Sequence, residues 1–240
     1  MSIQIKNLSK IFKDVAAVDN LSLTIKEGEF FALLGQNAAG KTTTIKMLSC
    51  LSTPTSGDAL MFKDSIVKNS TAVKQKINIS PQETAVAPNL SIKENLEFIA
   101  QIYGSDKKEA EQKTVELMKK FGLLERARNR AKTLSGGLQR RLSIAMALIT
   151  NPQIIFLDEP TLGLDVRSRR DLWNLLLDLK GKITIVLTTH YLEEVEALAD
   201  RVGIMHGGVL HEVGTIEELQ EKTKQSTLED IFLTLTLEGV

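Results

Sequence analysis

The sequence predicts an α/β fold with a mostly parallel central sheet, an N-terminal antiparallel β region and a helical insertion. Three short runs, Phe30 to Leu34, Ile154 to Leu157 and Ile183 to Leu187, are almost wholly apolar, as expected of parallel strands covered on both faces. Apolar and polar residues alternate through residues 3–26, which is typical of strands with one wet face. Residues 91–150 carry little but helical periodicity, so we expect them to interrupt the sheet as an insertion.

Length and composition indicate one ordinary globular domain. The chain has 240 residues, of which 42% are hydrophobic and 25% charged, and only 5 are proline, which excludes disordered and collagen-like classes. We therefore interpret residues 1–240 as a single domain with a helical subdomain at about 91–150. Thirty basic residues balance 30 acidic ones, so no global field directs the chain to nucleic acid or an anionic membrane.

The sequence gives no sign of a membrane span, because no apolar run approaches the ~20 residues that one requires. Residues 1–6 also lack a basic flank followed by an apolar stretch, so we expect a cytoplasmic chain. The single cysteine, Cys50, lies in the apolar helical pattern that follows Gly40 and extends to Leu51. We expect a plain core role for it.

The segment that joins the first apolar strand to the following helical pattern has the form G-x-x-x-x-G-K-[ST], the phosphate-loop pattern. Backbone amides of the loop and of the helix start point at one anion, Lys41 adds a full charge, and the Thr42 hydroxyl can hold Mg²⁺. A turn that is glycine-rich by chance would not explain the strand and helix around it. The predicted nucleotide-binding residues of this segment are Gly35, Asn37, Ala38, Ala39, Gly40, Lys41, Thr42 and Thr43.

Polar residues follow the other two apolar strands. Asp158 and Glu159 end the second strand at the edge where ligands sit in open α/β sheets. We expect Asp158 to reach Mg²⁺, and Glu159 to accept a proton from the water that attacks the γ-phosphate. His190 follows the third strand, where it could donate a hydrogen bond to that phosphate or orient the water.

A second anion site is predicted at Ser135, Gly136 and Gly137, which open the apolar helix 142–149. Ser135 has the chemistry of a helix N-cap, and the glycines leave the backbone amides accessible. Because one phosphate loop already serves the nucleotide, we infer that this second site is shared between two chains.

Taken together, these motifs resemble those of the ATP-binding cassette (ABC) ATPases, in particular the separate ATPase subunits of drug- and antibiotic-exporting transporters. The likeness covers essentially the whole chain and implies a P-loop NTPase fold. The motifs that carry it, in the family's order, are the phosphate loop, Gln82, the signature Leu134 to Leu138, the Asp158-Glu159 pair, the Leu162 to Asp165 segment and His190.

The resemblance implies a head-to-tail homodimer with ATP between the phosphate loop of one copy and the signature of the other. It places Phe12 against the adenine, Gln82 near Mg²⁺ and the transporter contact, and Asp165 across the dimer interface. Phe12 has a second interpretation as a core residue beside a strand. Lys41, Glu159 and His190 are the expected catalytic residues, and separate transmembrane permease subunits are the expected partners, with residues 82–95 as the docking region. The chain would then lie on the inner face of the cell membrane.

Three positions depart from the family pattern. Ala38 replaces a usual glycine, so it either strains the loop or does not need a positive φ. Leu138 replaces the usual signature glutamine, which puts a side-chain contact to the opposing nucleotide in doubt. Leu162-Gly163 replaces the common Ser-Ala, a variation that resembles the exporter branch.

Two other functions stay open at this point. One is a soluble ABC ATPase that acts as a switch on ribosomes or nucleic acid. The only basic cluster, residues 126–132, suits a solvated loop as well, and no nucleic-acid partner is expected. The other is a phosphate-loop kinase, which would leave Ser135, Gly136, Gly137 and His190 without a role.

Overall fold

The structure, a computed structural model, describes residues 1–237 and contains two β-sheets. The smaller sheet is antiparallel throughout and contains the alternating N-terminal segment, as predicted. Its strands lie in the order β2-β1-β4-β5. They are β1 (Ile3–Phe12), β2 (Val15–Ile25), β4 (Ser56–Met61) and β5 (Asp64–Ser65).

The larger sheet has six strands in the order β10-β9-β3-β8-β7-β6. All neighbouring pairs are parallel except the hairpin of β9 and β10, so the predicted mostly parallel sheet is confirmed. The strands are β3 (Phe30–Leu34), β6 (Ile77–Ser80), β7 (Ile154–Asp158), β8 (Thr184–Thr189), β9 (Arg201–His206) and β10 (Val209–Gly214).

Helices fill the connections, and three of them lie between β6 and β7, where the helical insertion was predicted. Two short 3₁₀ turns at Leu124–Arg126 and Ala131–Thr133 accompany them. The helices are α1 (Lys41–Leu48), α2 (Ser70–Lys74), α3 (Ile92–Ile102), α4 (Lys107–Lys120), α5 (Gly136–Leu148), α6 (Val166–Leu177), α7 (Leu192–Leu198), α8 (Ile216–Thr223) and α9 (Leu228–Leu237).

The end of α1 corrects one prediction. The apolar pattern extends to Leu51, but the helix ends at Leu48, and Cys50 adopts a left-handed conformation with φ 57°. The N–H of Leu51 donates to the carbonyl of Lys46 at 2.8 Å, which closes the helix end. Cys50 is therefore a half-buried turn residue that packs at the edge of the core.

Successive side chains of β3 divide the core between the two faces of the central sheet. All five residues of β3 are buried. Phe30 belongs to the cluster formed with α3, α5 and α6, whereas Phe31 belongs to the cluster formed with α1 and the smaller sheet. Across residues 1–237, no helix is both long enough and apolar enough to cross a bilayer.

Candidate active site

The predicted site residues converge because β7, β8 and β3 are parallel neighbours. Their carboxyl ends lie at the same edge of the sheet, and an open cleft of about 740 Å³ is found there. The predicted residues that line this cleft are Phe12, Asn37, Ala38, Ala39, Gly40, Lys41, Thr42, Thr43, Gln82, Glu159 and His190.

The phosphate loop is packed so tightly that two of its positions accept only glycine. A Cβ on Gly35 would lie 2.3 Å from the carbonyl oxygen of Met205, and one on Gly40 would lie 2.4 Å from that of Ala17. Gly40 also has φ 100°, a conformation natural to glycine. Ala38 has φ 66°, so the loop does require a positive φ there, at a strain cost of about 1–2 kcal/mol.

Lys41 begins α1 and is held at the centre of the loop. Its Nζ donates to the carbonyls of Gly35 at 2.7 Å and Gln36 at 2.9 Å. The same ammonium lies 3.1 Å from Oε1 of Glu159, and both side chains are buried. A cation fixed at a helix start in this way provides an anion site for a phosphate.

Glu159 lies between this cation and His190. Its Oε2 is 2.7 Å from Nδ1 of His190, and its backbone N–H donates to the hydroxyl and the carbonyl of Thr188 at 3.1 Å each. The residue has φ 47°, a strained conformation that the surrounding bonds maintain. The carboxylate is thus fixed in a geometry in which it can accept a proton and share it with an imidazole.

Asp158 and Thr42 form a pair of oxygen ligands beside the loop. The Thr42 hydroxyl donates to Oδ1 of Asp158 at 3.1 Å, and the Thr188 hydroxyl donates to the same oxygen at 2.6 Å. Asp158 is 4% exposed. Hydroxyl and carboxylate oxygens are hard donors of the kind that Mg²⁺ prefers, so this pair fits that ion.

Gln82 is exposed at the rim of the cleft, and its backbone is anchored from α5. The buried Arg140 guanidinium donates to the carbonyl of Pro81 at 2.6 Å and also to that of Gln82. Burial lowers the pKa of Arg140, and the negative charges of Asp158 and Glu194 counteract that shift. The helix that begins at the signature is therefore directly bonded to the Gln82 loop.

Phe12 ends β1 with half of its surface exposed and lines the cleft. Its interpretation as a core residue is therefore wrong. The ammonium of Lys10 lies 5.0 Å from the ring centroid, which is within cation–π range. Val15, Ala16 and Ala17 lie beside it in the cleft wall. The ring is available to stack on a planar ligand.

Six predicted residues are not among those that line this cleft within the described part of one chain. Gly35 and Asp158 are buried and bond to Lys41 and Thr42 of the lining, whereas the other four lie elsewhere: Ser135, Gly136, Gly137 and Asp165. Ser135 is exposed and caps α5, accepting from the N–H of Leu138 at 3.4 Å. A Cβ on Gly136 would meet open space. Asp165 caps α6 and accepts from the hydroxyl of Ser168 at 2.7 Å, and hydrogen bonds from Ser168 lower the pKa of Asp165.

Two buried charged residues near the site were not predicted. Arg140 lies in the polar start of α5, and Glu194 lies in α7, whose sequence suggests a solvated acidic face. Both are almost inaccessible to solvent, at 4% and 0% exposure. No local signal marks them, because their burial results from packing between distant elements.

A phosphate loop that opens a helix at the sheet edge, with an acidic pair and a histidine at the neighbouring strand ends, defines an ATP-binding cassette ATPase. The ABC transporter family profile matches residues 18–162, and the chain belongs to this family. A profile for an AAA domain matches the shorter stretch 129–196.

Among curated relatives, the linearmycin resistance ATP-binding protein LnrL of Bacillus subtilis is 38% identical over 239 residues, covering 99% of this chain and 76% of that protein. The doxorubicin resistance ATP-binding protein DrrA of Mycobacterium tuberculosis is 39% identical, covering 87% of this chain and 63% of that protein. The human phospholipid-transporting ATPase ABCA3 is 41% identical, and the chain spans 13% of its length.

Solved structures agree with this assignment. An ATP-binding subunit of an ABC transporter superposes with TM-score 0.88 at 26% identity, covering 98% of this chain and 99% of that one. A dimeric, ADP- and phosphate-bound cassette, MJ0796, superposes with TM-score 0.81 at 28% identity, covering 89% and 98%. The predicted fold, family and ATPase class are confirmed, and these relatives favour a transporter subunit over a ribosome or nucleic-acid switch.

Proposed function

We propose that two copies of this chain bind MgATP head to tail, hydrolyse it, and so drive separate membrane-spanning permease subunits of an exporter. One observation supports the proposed dimer in particular. The cleft contains the phosphate loop and the catalytic carboxylate, whereas the signature Ser135-Gly136-Gly137 lies outside it on the same copy. An exposed helix start with free space at Gly136 suits a phosphate that a second copy presents.

Within each site, Thr42 and Asp158 would hold Mg²⁺, with Gln82 at the rim as a further oxygen ligand. When bound, the ion neutralises charge on the β- and γ-phosphates. Lys41 turns from Glu159 toward the phosphates, which frees the carboxylate to take the proton of the attacking water. His190, bonded to Glu159, orients that water or contacts the γ-phosphate.

The permease contact is proposed at the Gln82 loop and the adjoining face of α3. Phe98, Ile102 and Tyr103 are each more than half exposed there, at 53%, 61% and 58%. A groove of about 160 Å³ lies beside them, lined in part by Ala85 and Tyr103. Such an apolar surface suits a short amphipathic segment of a membrane protein. The chain would then lie peripherally on the inner face of the membrane.

Export is supported by the names of LnrL and DrrA, which describe resistance to linearmycin and to doxorubicin. For the docking surface, we expect Ile102→Glu to abolish co-purification with the cognate permease while the ATPase activity of the isolated chain stays unchanged. Retained co-purification would refute the surface.

The composite site is tested by mixing two inactive variants. Lys41→Ala disables the phosphate loop, and Gly136→Asp places a negative charge at the signature, where a new Cβ meets no neighbouring atom of its own copy. Each variant alone should be inactive. In a mixed dimer, one site combines an intact loop with an intact signature, so phosphate release should reappear. A mixture no more active than its separate components would contradict the shared site.

A further inference from the structure

A buried polar cluster that does not line the cleft adjoins the Glu159 and His190 loops. Its centre is Glu194, which is 0% exposed in α7. The indole Nε1 of Trp173, on α6, donates to Oε1 of Glu194 at 3.2 Å. Thr161 and Thr189, which are 1% and 0% exposed, are the hydroxyl neighbours of this carboxyl group.

Glu194 adjoins both catalytic loops. Thr161 lies two residues after Glu159, whose carbonyl accepts from the N–H of Leu162 at 3.2 Å. Thr189 precedes His190, and its hydroxyl accepts from the N–H of Tyr191 at 3.0 Å. The N–H of Glu194 donates in turn to the carbonyl of Tyr191 at 3.2 Å. Glu194 therefore lies where the two loops meet α6.

The surroundings of this carboxyl group oppose its ionisation. Burial is the main cause that raises the pKa of Glu194, and the negative charge of Glu159 raises it further, whereas Thr189, Thr161 and Trp173 lower it in part. Two cations face the cluster from neighbouring helices. Arg140 of α5 donates to the Gln82 loop, and Arg169 of α6 lies 3.4 Å from the exposed Glu193 and 5.0 Å from the Tyr191 ring.

Two atoms of the cluster show that its hydrogen bonding is incomplete. Among the described residues, Oε2 of Glu194 and Oγ1 of Thr161 are buried without a hydrogen-bond partner that meets full geometry. Among the same residues, Nε of Arg169 is also buried without a hydrogen-bond partner. A buried oxygen without a partner is destabilising, so a role beyond stability would account for its presence.

We propose that Glu194 is a positioning residue that holds the Glu159 and His190 loops in alignment from behind. This inference rests on the proposed roles of Glu159 and His190. A shift of the reacting groups by about 1 Å can slow a reaction on the order of 100-fold, which is the effect that loss of this link should have.

The test compares Glu194→Gln with Glu194→Leu, with Glu193→Gln as a matched control on the exposed side of the same helix. The amide keeps the shape of the side chain and an oxygen that can accept from Trp173, so kcat should stay within about twofold, whereas leucine should lower kcat between about tenfold and 100-fold. The affinity for MgATP should change less than about threefold, because the phosphate loop meets the cluster through a backbone hydrogen bond, from the N–H of Gly35 to the carbonyl of Thr189 at 3.2 Å, that neither substitution removes. The control should match wild type.

Trp173 is the only tryptophan in the chain, so its fluorescence reports the state of Glu194. As pH rises through the elevated pKa of Glu194, the carboxyl group ionises beside Glu159. We expect the Trp173 emission to shift and kcat to fall over the same pH range. Both changes should be absent in Glu194→Gln.

Full kcat in Glu194→Leu, or a loss in Glu194→Gln as large as in Glu194→Leu, would overturn the proposal. If Glu194→Leu does not fold, Trp173→Phe removes the hydrogen bond to Oε1 of Glu194 and should lower kcat in its place, while unchanged kcat would overturn the link. A wild-type chain without ATPase activity, but with the pH-dependent Trp173 signal, would refute the proposed function instead.

Discussion

The ion pair between Lys41 and Glu159 makes a prediction about nucleotide binding as well as catalysis. Glu159→Gln removes one of two oppositely charged side chains that are 5% and 6% exposed and 3.1 Å apart. Lys41 keeps its bonds to the carbonyls of Gly35 and Gln36, so the loss is that of one charge-assisted contact, about 1.5–3 kcal/mol. For a domain of this size, the nucleotide-free variant should melt about 3–12 °C lower.

The wild-type chain must break the contact between Lys41 and Glu159 when Lys41 binds a phosphate, whereas the variant has no such contact to break. ATP should therefore bind the variant about 10- to 100-fold more tightly, at about 1.4 kcal/mol for each factor of ten, while turnover falls about 10²- to 10⁴-fold with the general base.

Calorimetric titration with MgATP and thermal unfolding with and without nucleotide measure both effects. Glu193→Gln serves as the control and should show neither effect, because the Glu193 side chain is 77% exposed. Weaker or unchanged ATP binding by Glu159→Gln, together with an unchanged melting temperature, would refute competition between Glu159 and the phosphate for Lys41.

Three further predictions concern single positions. Ala38→Gly should relieve backbone strain of about 1–2 kcal/mol, while the greater freedom of glycine in the unfolded chain costs about 0.4–1 kcal/mol. The variant should therefore be as stable as wild type or more stable in urea unfolding. Ala39→Gly, in the same loop but without a positive φ, should be less stable. Phe12→Ala should weaken ATP binding by about 1–3 kcal/mol and Phe12→Trp should not, as measured by titration; equal affinities would remove the stacking role. Because the pKa of Asp165 is lowered in the folded chain, its carboxylate stabilises the fold above the unfolded-state pKa of 3.8, and this stabilisation is lost as pH falls through the folded-state pKa. In Asp165→Asn, the free energy of unfolding should therefore fall less steeply as the solution is acidified.

Local patterns predicted much of the fold and most of the cleft, because they report local geometry. Unbroken apolar runs such as Phe30 to Leu34 fit only strands buried on both faces, and the phosphate-loop spacing places Lys41 at a helix start. The sequence alone left open whether Ala38 needs a positive φ, and the structure shows that it has one, at 66°.

Other features depend on distant parts of the chain and leave no local pattern. Glu194 is buried by α6 and by the loops after β7 and β8, and Arg140 by the Gln82 loop, although both stand in sequences that suggest a solvated helix face. The early end of α1 at Leu48 likewise depends on the backbone bond to Lys46 and not on the apolar pattern, which continues to Leu51.

Sedimentation of Glu159→Gln with and without MgATP tests the shared nucleotide site most directly. We expect a monomer without nucleotide and a dimer with it. Gly136→Asp added to the same chain should leave ATP binding by the single copy intact and keep it monomeric. A double variant that still dimerises with MgATP, or a single variant that stays monomeric at saturating MgATP, would contradict an ATP held between the phosphate loop of one copy and the signature of the other.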